Sequence, residues 1–309
     1  MKRLLAGVVA GLLLIPHGVA LGAELDELLE ESRSASYSAE QLISCATPDG
    51  VRDALIELQQ RAGEVRYFGK SKSTTEVWSG YGGWVVQSDG SVIDSANVDG
   101  EEVLPAEEPR YQVEEAGQAL YLGRRADTYV LRDGELARAE LIVDRATGVI
   151  MSVVTFDDEG GVYCERTFVS YNPNVPEWPV VESDPDSEAL VASSESTLPE
   201  ELAGFTRLDV YVDDDGLDFG YYSDGFFSFA VFESDVEIVL DGGVVYRVDG
   251  GSYAREFTPG QVTYTWPISN GGMALIGDLP PDMHDAVLAE LPQPYDPGFF
   301  KRLWRSLFG

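Results

Sequence analysis

Basic residues are scarce in this chain, and so are the residues that usually carry metal or nucleophilic chemistry. Lysine and arginine total 21 against 54 aspartates and glutamates, a formal net charge of −33. A surface of that sign repels phosphate backbones and argues against nucleic acid as a partner. Acidity on this scale also keeps a protein soluble, so by itself it marks no site; a basic partner segment is its functional reading. Histidine occurs only at His17 and His284. A catalytic triad would have to use His284, which no G-x-S-x-G accompanies, and we expect this residue on the exposed side of a late helix. A zinc site needs more His and Cys than the chain holds. Asp213-Asp214-Asp215-Gly216 lacks the ligand spacing and distal Glu of a calcium loop and reads as a hairpin turn. No Gly-rich loop precedes a helix, and acids are too abundant to single out a glycosidase pair. The expectation is a non-enzyme with no catalytic, cofactor or metal residues.

The apolar run at 4–15 is too short to span a bilayer reliably. It follows Lys2 and Arg3 and precedes Pro16, Gly18, Ala20 and Ala23, the layout of an export signal; cleavage after Ala23 is expected. There are just two cysteines, Cys45 and Cys164. Export to an oxidising compartment favours a disulfide between them, the other reading being two free thiols; C-x-x-C is absent.

What the chain has in quantity is alternation. Residues 140–171 read ELIVDRATGVIMSVVTFDDEGGVYCERTFVSY, with apolar residues at every second place in three runs separated by Asp/Gly turns. That is an antiparallel meander with one wet face. Upstream, strand-like runs at 38–46, 54–59, 64–69, 75–79, 84–87, 118–122 and 127–132 follow a short amphipathic helix at 25–32. A polar, proline-bearing loop occupies 97–110. Residues 173–199, with five prolines and many acids, form a linker. Beyond it come strands at 205–212, 218–223, 226–232, 236–240, 244–248, 253–258, 261–266 and 272–279, then a helix at 281–291. The fold class expected is mainly β with few helices (α+β). A half-open antiparallel barrel or curved sheet (24–172) precedes a smaller antiparallel sheet with one helix (200–293).

Aromatic residues Tyr67, Phe68, Trp78, Trp84, Tyr121, Phe156 and Phe168 fall within strands of the first unit. In a half-open barrel such side chains either fill the interior or line an apolar cleft. The tail at 294–309 reverses the chain's charge. Phe300, Leu303, Trp304 and Leu307 share one helical face beside Lys301, Arg302 and Arg305. Two readings stand: a helix lying on a membrane surface, or one docked on the protein's own acidic surface.

DRATGVIMSVVTFDDEGGVYCERTFVSY resembles the sheet-closing segment of the RseB/MucB family, and LPEELAGFTRLDVY with YYSDGFFSFAVFES resembles its LP-x-G-F and Y-S-D-G motifs. The resemblance covers roughly 111–278. It implies an exported regulator of an envelope-stress sigma factor, with a lipoprotein-carrier-like (LolA-like) first domain receiving a lipid or lipoprotein signal. The second domain would hold the extracytoplasmic segment of an anti-sigma factor, which points to the region of Tyr222, Ser223, Asp224, Gly225 and Phe226. A lipid or lipoprotein carrier of the cell envelope is the alternative function. The acidity, the poor match over the first hundred residues and the basic tail depart from the family.

Overall fold

The computed structural model describes residues 25–61, 64–68, 74–79, 82–87, 92–96, 110–175, 196–212, 217–240, 243–248, 251–258 and 260–295, with backbone alone between 64 and 96. The expectations for the export signal, for 97–109, for 176–195, for Asp213–Gly216 and for tail residues Phe300, Lys301, Arg302, Leu303, Trp304, Arg305 and Leu307 lie outside the described residues.

Helix α1 (Leu25–Ser34) opens the described chain. Eleven strands come after it: β1 (Tyr37–Thr47), β2 (Gly50–Arg61), β3 (Glu64–Phe68), β4 (Thr74–Ser79), β5 (Gly82–Gln87), β6 (Val92–Ala96), β7 (Gln112–Tyr121), β8 (Arg124–Asp133), β9 (Leu136–Asp144), β10 (Ile150–Phe156) and β11 (Val162–Asn172). They form one sheet in the order β6-β5-β4-β3-β2-β1-β11-β10-β9-β8-β7, every described pair antiparallel. The sheet does not close into a barrel; it is an open, curved sheet with β6 and β7 as its edges. Edge strand β7 carries Glu114 and Glu115 and a register shift between Glu115 and Gly117, devices that blunt an exposed edge.

The second sheet comprises β12 (Glu201–Leu202), β13 (Phe205–Val212), β14 (Leu217–Ser223), β15 (Ser228–Ser234), β16 (Val244–Val248), β17 (Gly251–Thr258), β18 (Gln261–Ile268) and β19 (Gly271–Gly277), with helix α2 (Pro281–Glu290) after them. Its order is β12-β13-β14-β15-β19-β18-β17-β16. In β14 the period-two pattern buries Asp218, Gly220 and Tyr222 and leaves their neighbours half-exposed. Pro281 opens α2, where its missing N–H costs nothing.

One expected strand is absent: 236–240 is irregular, with Val236 and Val239 exposed. The chain must here pass from β15, inside the sheet, to β16 at its far edge, and a segment crossing over strands cannot pair with them. The crossover lies directly on Gly272, where a Cβ would stand 2.4 Å from the Ile238 backbone nitrogen.

A single apolar cluster joins the two sheets. Leu131, Leu141 and Val143 of the first pack with Phe205, Phe227, Leu279, Met283 and Val287 of the second unit, and Leu25 of α1 belongs to it. A second cluster under α1 gathers Tyr37, Ala39, Leu58, Met151 and Phe168.

Candidate functional site

The Tyr222–Phe226 region forms the turn between β14 and β15. Ser223 Oγ donates to the Phe227 carbonyl, while Asp224 Oδ1 accepts from the backbone N–H groups of Phe226 and Phe227. Gly225 takes a φ of +96°, which a side chain would resist. The other Asp224 oxygen faces the first sheet. It accepts from the Tyr111 hydroxyl at 2.5 Å and pairs with Arg110 at 3.0 Å, and Arg110 also binds Asp133 at 2.9 Å. The Asp224 side chain has no exposed surface. Burial pushes its carboxyl above the ordinary aspartate range, although Tyr111, Arg110 and the two N–H groups all favour the charged form. Burial, then Asp224, raises the Tyr111 hydroxyl as well. Tyr111 sits edge-on to Phe226 and Phe227, and Tyr222 is fully buried, stacked on Phe229 with its hydroxyl donating to the Pro199 carbonyl. Tyr222 and the Asp224 side chain therefore face inward, whereas Ser223 is half-exposed and Gly225 is exposed.

Three more arginines of the first sheet cross this seam. Arg138 pairs with Asp282 of α2 at 2.8 Å, Arg166 pairs with Asp278 and donates to the Gly260 carbonyl at 2.8 Å, and Arg52 donates to the Phe257 carbonyl at 3.0 Å. Among the described residues every ion pair across the seam runs from an arginine of the first sheet to an aspartate of the second unit. Burial outweighs Arg166 and raises the Asp278 carboxyl. Cys45 and Cys164 lie opposite each other on β1 and β11 and form the disulfide, beside Asp278. Their sulfurs are bonded to one another, so this trio is not a metal site.

The D-x-x-T-G residues build the turn between β9 and β10. Asp144 receives a two-pronged bond from Arg124 (3.0 and 2.8 Å) and the Thr147 hydroxyl at 2.6 Å. Burial opposes ionisation there, but these donors outweigh it and hold the carboxyl below the ordinary aspartate range. Gly148 adopts a φ of +65°, and the Glu31 side chain of α1 rests on it.

The seven aromatic positions divide between the two faces of the first sheet. A bulge at Val169 brings Phe168 and Tyr171 onto one face, stacked at 6.2 Å with Tyr37 against both. The Tyr121 hydroxyl bonds to Thr167 and to the Phe168 carbonyl, so Tyr121 and Phe168 meet in this packed cluster. Strand register places positions 67 and 78 on the face of Leu58, which belongs to the same cluster; positions 68 and 84 share the opposite face. Phe156 alternates with Thr155, the partner of Cys164, and so lies on the face away from Phe168.

His284 corrects the sequence reading. It is buried, 1% exposed, with its ring 5.1 Å from that of Tyr264, because α2 packs Met283, His284, Val287 and Leu288 inward. Burial, with a smaller contribution from Arg255, pushes its pKa down to about 3. Its spacing from Val287 and Leu288 was the available signal. The four seam arginines were not singled out from the sequence, since nothing local marks an arginine whose partner lies far along the chain.

No family model matches the chain, and no curated protein matches it. Among solved structures, the Pseudomonas aeruginosa MucA/MucB complex is 19% identical, covering 86% of this chain and 97% of that chain at a TM-score of 0.48. MucB alone is 19% identical, with 85% and 94% covered and a TM-score of 0.49. A LolA-superfamily protein from Nitrosomonas europaea is 10% identical over 85% and 97%, with a TM-score of 0.22.

Proposed function

We propose that this chain is a non-catalytic, extracytoplasmic regulator. Residues 1–23 direct export and are removed. Units 24–172 and 200–293, joined by the linker 173–199, bind the extracytoplasmic segment of a membrane-bound anti-sigma factor. A lipid- or lipoprotein-type ligand on the first unit makes them release it. Two ordered sequence motifs support this reading, and one observation carries it. Asp224, at the centre of the second motif, is a buried carboxylate whose partners Arg110 and Tyr111 belong to the other unit. A buried, hydrogen-bonded charge cluster between two units favours discrete over graded arrangements. A ligand that prefers one arrangement then weakens a partner that prefers the other, by the difference in its two affinities.

The test is titration of the mature protein with the extracytoplasmic segment of a single-pass anti-sigma factor, then the same titration with lipid present. Saturable binding that lipid weakens is the expected result. Co-purified lipid with no segment bound under any condition defeats regulation and leaves a lipid carrier.

A further inference from the structure

The second unit carries very few cations. No lysine or arginine occurs between Arg207 and Arg247, or between Arg255 and Lys301. The crossover from β15 to β16 is acidic and also greasy: Asp235 and Glu237 flank Val236, which is 69% exposed, and Val239 is 70% exposed. Next to it, Glu233, Ile268, Asn270, Pro292, Pro294 and Tyr295 line an open notch of about 400 Å³. The described chain leaves from that notch. The Tyr295 N–H bonds the Pro267 carbonyl at 2.8 Å, Pro267 pairs with Gly272, and Gly272 lies against Val236 and Ile238.

Beyond Tyr295 the sequence turns basic and amphipathic. Only residues 296–299 separate Tyr295 from Phe300, a reach of about 17 Å at full extension. Three successive contacts already link Tyr295 to the crossover, so the stretch begins within reach of Val236. The two surfaces complement each other in charge and in apolar content.

We propose that this tail is an intramolecular ligand of the second sheet. Phe300, Leu303, Trp304 and Leu307 cover the notch and the exposed valines of the crossover, and Lys301, Arg302 and Arg305 face Glu233, Asp235 and Glu237. An apolar contact ringed by opposite charges on a short tether gains from effective concentration, so modest contacts suffice.

Lys301 is the only lysine after Lys72, which makes the arrangement readable by zero-length carbodiimide coupling of the intact mature protein. The expected product joins Lys301 to Glu233, Asp235 or Glu237 within one chain, established by mixing isotopically light and heavy protein. Val236→Asn with Val239→Asn, both exposed and harmless to the core, should lower its yield about tenfold by removing half-covered apolar surface. Leu120→Asn, an equally exposed change on β7, should leave it unchanged. Absence of that product, a product only between copies, or tail insertion into phosphatidylglycerol vesicles by protein unlinked without them would each overturn the proposal.

Discussion

Asp224 accepts from four donors, two on its own turn and two from the other sheet, with no contact with water. Replacing it by Asn keeps the shape but sets an amide NH₂ against the donors that face it. Asp224→Asn should therefore cost about 2–4 kcal/mol in urea unfolding, the range for breaking buried charged hydrogen bonds. Asp133→Asn removes the half-buried partner of the same arginine and should cost under about 1 kcal/mol. A reversed ranking would place the anchor at Asp133. The motif residues themselves were legible in the sequence: Asp144, Thr147, Gly148, Asp224 and Gly225 all stand in turns, where carboxylate acceptors and positive φ give each residue type a local reason. Arg110, Arg138 and Arg166 have no such local reason, because their partners are far along the chain.

Among elements, alternation located β9, β10 and β11, but the single wet face expected of the meander is not found: neighbouring residues on both faces are buried at Arg138 and Ala139, at Met151 and Ser152, and at Tyr163 and Cys164. Strand-like content failed where it served no sheet. Residues 236–240 (VEIVL) have the β-branched and apolar content of a strand, but the crossover had no free strand to join. β6 was missed because Val92-Ile93-Asp94-Ser95-Ala96 sets two apolar residues side by side and then two polar ones, with no period of two. The disulfide joins β1 to β11 at directly opposed positions, the cysteines standing 119 positions apart in the sequence. Cys45→Ala with Cys164→Ala should lower stability by about 4–5 kcal/mol in the chain-entropy account of so long a loop. Chemical denaturation of the variant beside the oxidised protein measures it; a loss below about 1 kcal/mol would show that the pairing of β1 with β11 already constrains the unfolded chain.

On the scale of the whole molecule, acid acts through groups of opposite sense. In the folded protein His284 stays neutral down to about pH 3, whereas unfolded it takes a proton near pH 6.5. Its contribution to stability is therefore complete above pH 6.5 and is lost as the pH falls toward 3, at up to about 1.4 kcal/mol per pH unit. Asp224 and Asp278, raised by burial, take protons earlier when folded and stabilise the protein as the pH drops. His284→Leu should flatten the acid-side loss by about one proton between roughly pH 6 and 4 without altering the carboxylate part. Unfolding midpoints at several pH values and fixed ionic strength read this slope; equal slopes in the two proteins would mean that His284 takes its proton without unfolding.

The place of β1 has a consequence for synthesis. It precedes every other described strand, yet it lies inside the sheet, with β2 on one side and β11, more than a hundred residues later, on the other. A growing chain can zip β1 to β2 at once, but one whole row of β1 amides and carbonyls waits until Asn172 has been made. Until then that edge is open to any other unfinished chain, and closure is governed by the slow search for a distant strand.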